Sequence, residues 1–200
     1  MIDRGREFVN ETRRGQLGIR LESALLSEEA LCLLLVGDEE DAKSLVDLIA
    51  GRDDLDAEAI VSAAYLKAVF QQPFEEKTVI PVFEDALSRL SQKDSGKAHT
   101  RAAIALFRGK LLERLGDLDR AEASFDDACQ RDHFNLHMKI CLLKVAMNRL
   151  KRIWRQGESP VARAIAQRCL SVAKEILKIN PNEKTARSAQ EDLFADFNIS

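Results

Sequence analysis

Apolar residues recur along the chain at helical spacing, in short runs that end at glycine, proline or polar turns. One run places Ala42, Leu45, Val46 and Ile49 on a single face, because a helix brings residues three and four apart onto the same side. No segment alternates apolar and polar residues convincingly, as a half-buried strand would. Only nine glycines and four prolines occur among the 200 residues, which excludes collagen-like and low-complexity chains. The sequence therefore predicts an all-α fold of short helices.

The breaks between these runs divide the chain into a series of predicted helices. We expect helices over residues 42–49, 60–70, 78–90, 102–115, 119–131, 136–155, 160–179 and 184–195. Pro81 is compatible with its helix only in the first turn, where its missing N–H is not needed. Gly116 is expected to end one helix, Ser159 and Pro160 to begin another, and residues 91–99 to form a polar loop. Short helices joined by tight turns are typical of helical repeat proteins.

One segment, GKLLERLGDLDRAEASFDDACQRD, resembles the tetratricopeptide repeat (TPR), a helix–turn–helix motif of about 34 residues. With Ala102 at place 1, small residues fill places 8 and 20, and a large apolar residue fills place 24. These residues are Gly109, Ala121 and Phe125, while Leu112, Gly116, Leu118 and Ala128 fit places 11, 15, 17 and 27. The departures are Ala105 where tryptophan is usual, Arg108 at the apolar place 7, and His133 where proline usually closes the repeat.

The same frame recurs with weaker fidelity and implies a domain organisation. The repeat units span residues 23–56, 60–93, 102–135 and 136–181, and the last unit carries an insertion of about a dozen residues relative to the repeat period. Residues 1–22 are expected to form an N-terminal segment, helical or partly disordered, and residues 182–200 a C-terminal capping helix and tail. The resemblance implies a right-handed superhelix of antiparallel helix pairs, and a generic helical bundle is the alternative.

In the TPR family, places 2, 5, 9, 12 and 13 of each first helix line the inner groove. Carried over, those places fall on Val61, Ala64, Ala68, Gln71 and Gln72, on Ala103, Leu106, Lys110, Glu113 and Arg114, and on His137, Ile140, Lys144, Met147 and Asn148. The resemblance therefore implies partner binding by Gln71, Gln72, Lys110, Arg114, His137, Lys144 and Asn148. Because three cations would lie above an apolar floor, we expect an acidic or amphipathic segment of another protein as the partner.

Charge is unevenly distributed, although the whole chain carries a net charge of only −3. Residues 1–100 carry a net −8, residues 101–200 a net +5, and the window 139–178 a net +8. We expect a basic surface formed by Arg149, Lys151, Arg152, Arg155 and Arg163. A self-assembling structural scaffold, a homo-oligomer that joins the acidic N-terminal half to this surface, is therefore an alternative. Basic residues around Trp154 could suit nucleic acid, but an acidic chain disfavours that partner.

Residues capable of catalysis or metal binding form no recognisable site in the sequence. The chain has three histidines and lacks the HExxH, GxSxG, P-loop and GxGxxG motifs. Cys129, His133, His137 and Cys141 recur every four residues, but each step of four rotates about 40° on a helix, so the outer two would diverge. We expect ordinary packing there, no metal or other cofactor, and no enzymatic activity. The four cysteines lie in no CxxC pair, so we expect reduced, mostly buried thiols.

These features favour a non-enzymatic interaction module that acts as an adaptor, assembly factor or chaperone. A bacterial chaperone of secretion substrates is a further alternative, because such proteins use three similar repeats at a similar chain length. The TPR subgroup that clamps a C-terminal carboxylate is disfavoured, since its clamp places hold Ala64, Ala68, Phe107, His137 and Cys141. The longest apolar run covers seven residues, 30–36, and the first residues lack a secretory signal. We therefore expect a cytoplasmic protein without a membrane span.

Overall fold

The computed structural model describes residues 22, 25–26, 28–30, 32–33, 36–50, 52, 57–88, 97–195 and 197. Its helices are α1 (Glu39–Ala50), α2 (Ala57–Val69), α3 (Glu76–Leu87), α4 (Ala98–Arg114), α5 (Leu118–Arg131), α6 (Leu136–Trp154), α7 (Pro160–Ile179) and α8 (Lys184–Ala195). Most described residues between 22 and 36 are helical as well, and the described ranges contain no strand. The all-α prediction is therefore confirmed. None of the described helices combines the length and the apolar character needed to cross a membrane.

The predicted helix boundaries agree with the structure to within a few residues, with two informative differences. The helix α3 begins at Glu76, so Pro81 stands in its second turn and the first-turn expectation is wrong. Pro81 is exposed, so water can hydrate the carbonyl that its ring leaves without a partner, which lowers the cost of an internal proline. His99, expected in a loop, belongs to the first turn of α4. The expectations for residues 1–21 and 91–96 lie outside the described residues.

The described chain divides into two compact units, and the first unit ends at Phe107 within α4. In this unit α1 packs against α2, and α2 packs against α3. Its core contains Leu26, Ala30, Val46, Ile49, Ala59, Ala63 and Leu66. The small side chains of Ala59 and Ala63 let α2 approach its neighbours closely, because a close helix pair needs a small residue opposite a large one. Val79 and Phe83 of α3 stand at the packed places 20 and 24 of the repeat frame that begins at residue 60, and both are fully buried.

The second unit begins at Arg108 and contains the end of α4 and the helices α5 to α8. Consecutive helices from α5 to α8 pack against one another, and α6 also contacts α8. Large side chains from α6, α7 and α8 share one core, which includes Leu143, Leu150, Ile165, Leu170, Ile176 and Leu193. A contact between helices two positions apart is what stacked helix hairpins produce, since each hairpin buries its apolar face against the next.

Local sequence signals explain where the helices of the second unit begin. The side chains of Asp117, Asn135 and Ser159 each accept a hydrogen bond from the backbone N–H three residues later, at the starts of α5, α6 and α7. These caps satisfy donors that have no partner inside the helix. Gly116 and Gly157 adopt φ values of 81° and 116° in the turns before two of these caps, a conformation that glycine adopts without strain.

The dozen extra residues expected between residues 136 and 181 lie within two long helices. The helices α6 and α7 contain 19 and 20 residues, whereas α5 contains 14. The extra residues therefore extend one helix hairpin, and no separate segment leaves the fold between residues 136 and 179. The repeat frame predicts packed residues at place 7, counted from residue 136, and at places 20, 24 and 27, counted back from Pro181 at place 32. All four are buried: Leu142, Cys169, Ala173 and Ile176.

Candidate functional site

A surface cleft in the second unit lies between α6 and α8, beside the last turn of α4. It has a volume of about 350 Å³. The buried residues Leu143, Met147 and Ala189 contribute its apolar floor. Its polar and charged lining consists of Glu113, Lys144, Asn148, Lys151, Thr185, Ser188 and Asp192. We call this the α6–α8 cleft. A concave surface where polar groups converge around an apolar floor is a candidate binding site.

The helix α6 supplies one wall of the α6–α8 cleft from a single face. Lys144, Asn148 and Lys151 are separated by four and three residues, so their side chains project from the same side of the helix. Met147 lies on this side as well, and only 6% of it is exposed. The periodicity of α6 therefore places polar side chains next to an apolar surface, an arrangement that suits an amphipathic ligand.

Two lysines give the region beside the cleft its positive charge. Lys144 lines the cleft, and it acts electrostatically on Glu113 together with Lys110 of α4. Burial raises the pKa of Glu113 above its usual value, and the charges of Lys144 and Lys110 oppose that rise. The half-buried carboxylate is thus less well solvated than one on an open surface. Its charge remains partly uncompensated within the site.

His137 and Cys141 lie on α6 near the same two lysines. Burial lowers the pKa of His137, and the positive charges of Lys110 and Lys144 lower it further. The His137 Nε2 lies 3.7 Å from the Cys141 Sγ, and burial raises the pKa of Cys141. The imidazole is therefore neutral and the thiol protonated at neutral pH. This pair does not offer the thiolate that cysteine nucleophiles use.

An ion pair connects the two walls of the α6–α8 cleft. The Lys151 Nζ lies 2.9 Å from the Asp192 Oδ2 of α8. Lys151 was expected to belong to a basic surface, but here it lines the cleft and its charge is paired. The ion pair therefore helps to hold α8 beside α6. Lys144, the other cation of the lining, takes no part in this ion pair.

The structure brings together only some of the residues predicted to bind a partner. Lys144 and Asn148 line the α6–α8 cleft, and the pKa effects above place Lys110 and His137 near Lys144. Arg114 is exposed at the end of α4 and does not line the cleft, and Gln71 and Gln72 follow α2 in the first unit. The Gln71 side-chain amide donates a hydrogen bond to the Lys67 carbonyl oxygen, as a helix-end residue would.

A buried acidic residue that was not singled out from the sequence pairs with one arginine of the expected basic surface and with a second arginine outside that set. Glu122 of α5 is 3% exposed. Its Oε2 accepts a hydrogen bond of 2.9 Å from Arg149 of α6, and its Oε1 accepts one of 2.7 Å from Arg168 of α7. Asp119 and Asp126 pair with the same two arginines. Arg149 therefore joins helices inside the fold and contributes little positive charge to the exterior.

The remaining residues of the expected basic surface are exposed, and their charges differ in how they are compensated. Arg163 pairs with Glu158 before the start of α7. Arg152 and Arg155 are exposed at the end of α6. Trp154 beside them packs edge-to-face against Phe197, with ring centroids 4.9 Å apart. Its ring contributes to the core of the second unit, and this contact leaves less of it for stacking on a nucleic-acid base.

The four cysteines are free thiols and differ in exposure. Cys32 is exposed, Cys129 and Cys141 are partly exposed, and only Cys169 is buried. The expectation of mostly buried thiols is therefore wrong. Burial raises the pKa of Cys129 to about 11 and that of Cys169 to about 12. Within the described residues, no three histidine, cysteine, aspartate or glutamate side chains are grouped as metal ligands would be.

The sequence analysis missed the α8 wall of the cleft. Thr185, Ser188 and Asp192 were not assigned to the groove, because α8 was interpreted only as a cap. Yet Pro181 stands at place 32 of the fourth unit, so a further unit would begin at residue 184. Those three residues then fall at places 2, 5 and 9, which are groove places in the TPR frame. Continuing the count past Pro181 would have found them.

Comparisons with known proteins add no relative, since no protein-family model, curated protein or solved structure matches the chain.

Proposed function

We propose that this protein is a non-enzymatic interaction module of TPR-like architecture, which acts as an adaptor, assembly factor or chaperone. An acidic or amphipathic segment of a partner protein occupies the α6–α8 cleft. The observation that carries this proposal is the combination, in one cleft, of an apolar floor with Lys144 and Asn148 at its edge. Apolar burial supplies most of the affinity for such a segment, and polar groups at the edge select its sequence.

The register of the cleft supports the TPR-like interpretation. Its lining from α6 includes Lys144, Met147 and Asn148, which stand at places 9, 12 and 13 of the fourth unit. Its lining from α8 includes residues at places 2, 5 and 9 of a following unit. Helices one repeat apart thus present the same face to the same cleft, as stacked repeats would.

The chemistry of the lining favours a peptide as the occupant. Asn148, Thr185 and Ser188 offer amide and hydroxyl groups that can both donate and accept hydrogen bonds. A peptide backbone requires both kinds of partner at closely spaced positions. The apolar floor accepts a side chain from the same segment. A cleft open on one side suits a chain that enters and leaves along the surface.

Self-assembly through the basic window is the weaker candidate. Five of its basic side chains form ion pairs with acidic residues of the same unit: Lys139, Arg149, Lys151, Arg163 and Arg168. These internal pairs reduce the positive field that a second copy would encounter. Light scattering at low and high salt separates the two functions, because assembly through exposed charges weakens as salt rises.

Selection of short peptides from a displayed random library tests the proposed function. The full chain serves as bait, and amide chemical shifts report where a selected peptide binds. We expect shifts around Asn148 and Ser188, and Lys144→Glu should weaken an acidic peptide at least tenfold. Lys174→Glu is the matched control, because Lys174 is exposed on α7 outside the cleft. A chain that selects no peptide, or one that binds it elsewhere, contradicts the proposal.

A further inference from the structure

We propose that Glu113 sets the specificity of the α6–α8 cleft, because its carboxylate takes the position near Lys144 that a partner's carboxylate occupies on binding. The partner segment then carries an apolar side chain for the floor and an aspartate or glutamate close to it in sequence. The carboxylate lies against Lys144 and displaces the Glu113 side chain from the cleft. This inference rests on the proposed function and names the chemistry of the segment.

The charged lining of the cleft divides into two pairs. Lys151 and Asp192 form a direct ion pair across the cleft, so their charges are satisfied within the protein. Lys144 and Glu113 line the same cleft and influence each other electrostatically. Among the described residues they form no direct ion pair with each other. The Lys144 ammonium can therefore donate hydrogen bonds to a partner's carboxylate that lies closer to it than Glu113 does.

The surroundings of Glu113 make it a weak internal counter-ion. Burial disfavours its charged form more than Lys144 and Lys110 favour it, so the pKa of this carboxyl is raised. His137, which faces the same two lysines from α6, has a lowered pKa and is neutral at pH 7. A carboxylate that arrives from solvent therefore encounters Lys144 and one poorly stabilised glutamate. Displacement of Glu113 toward water costs little, since this carboxylate gains solvation as it leaves.

The apolar floor explains why a charged group alone does not suffice. A free carboxylate near Lys144 is repelled by Glu113 and gains little from an exposed cation. A segment that also places an apolar side chain against Met147 and Ala189 gains burial energy that offsets this repulsion. Met147 can adapt to side chains of different shape, because its thioether chain is unbranched. Glu113 thus excludes segments that are merely acidic.

Binding measurements on one selected peptide test this inference. The peptide is used as selected and with its acidic residue changed to glutamine, and both forms are titrated into the full chain and its variants. Removing the charge in Glu113→Gln should tighten the acidic peptide by about three- to tenfold, which is the scale of one like-charge repulsion at a partly solvated site. The glutamine form of the peptide should bind both proteins alike. Lys144→Gln should abolish the preference for the acidic form.

Glu191→Gln is the matched control, because Glu191 is exposed on α8 and does not line the cleft. It should leave both affinities unchanged. If Glu113→Gln tightens both peptide forms equally, or tightens neither, the specificity role of Glu113 is wrong even though the cleft binds peptide. If no peptide binds at the cleft, the proposed function fails first, and this inference fails with it.

Discussion

Gly109 of α4 faces the ring of Phe125 of α5 so closely that a β-carbon at residue 109 would lie 2.7 Å from the Phe125 Cε1. Real β-carbons essentially never approach another atom this closely. Phe125 is fully buried, so its ring has little room to move away. The glycine at place 8 and the phenylalanine at place 24 are therefore complementary surfaces of one helix pair, as the repeat frame predicts.

Gly109→Ala should destabilise the protein by about 1–3 kcal/mol through overpacking. The sign of this change in stability distinguishes overpacking from helix propensity, because replacing glycine by alanine inside a helix otherwise stabilises the helix by up to about 1 kcal/mol. Chemical denaturation measures the change. Phe125→Leu provides the matched partner in a double-mutant cycle: the pair of substitutions should cost less than the sum of the two, since a smaller side chain accepts the new methyl group. Strict additivity would show that the two residues do not compete for space.

Glu122→Ala should cost about 3 kcal/mol of unfolding free energy, the lower end of the range for breaking a buried ion pair. The loss leaves Arg149 and Arg168 without their shared partner, and Arg168 is 42% exposed, so water compensates part of the effect. Thermal and denaturant unfolding measure it. Asp127→Ala, which removes an exposed ion pair with Arg131, should change stability by about 0.5 kcal/mol or less. Equal costs for the two variants would refute a structural role for the Glu122 network.

His137 should titrate below the usual histidine range in the folded protein, as measured from its imidazole signals by NMR. Burial and the charges of Lys110 and Lys144 lower its pKa. Lys144→Gln should therefore raise the pKa of His137, whereas Lys174→Gln should leave it unchanged. A folded-state pKa below the unfolded value also means that stability is present above pH 6.5 and declines as the pH falls through the folded pKa. An unshifted His137 would place this histidine away from both lysines.

The four thiols should react with iodoacetamide at pH 8 in an order that follows exposure and ionisation. Cys32 is exposed and should be modified first. Cys129 and Cys169 should react slowly, because burial raises their pKa values to about 11 and about 12 and keeps them protonated. Peptide mapping by mass spectrometry at successive times measures the order. Urea should remove the differences, and early modification of Cys169 in the native protein would contradict its burial.

Local sequence patterns were sufficient to predict the helices of the second unit and one wall of its cleft. The caps at Asn135 and Ser159 and the spacing of Lys144 and Asn148 depend on residues within one or two helical turns. Such local relationships fix where a helix begins and which side chains share a face. The complementary sizes of Gly109 and Phe125 could also be predicted from the sequence, because the repeat frame relates positions on two successive helices.

The residues opposite that wall, and the charges that are already paired, depend on how the helices pack. Lys151 meets Asp192 across 41 residues, and Arg168 meets Glu122 across 46. Charged residues occur throughout the chain, so many sets of ion pairs are compatible with the same sequence. The spacing of the charged residues along the chain does not favour one set over another. The choice depends on how α5, α6, α7 and α8 pack, which the summed burial of their apolar faces sets. The repeat frame assigned Glu113 and Lys144 to the same groove, and the packing of the helices places both in the lining of the α6–α8 cleft.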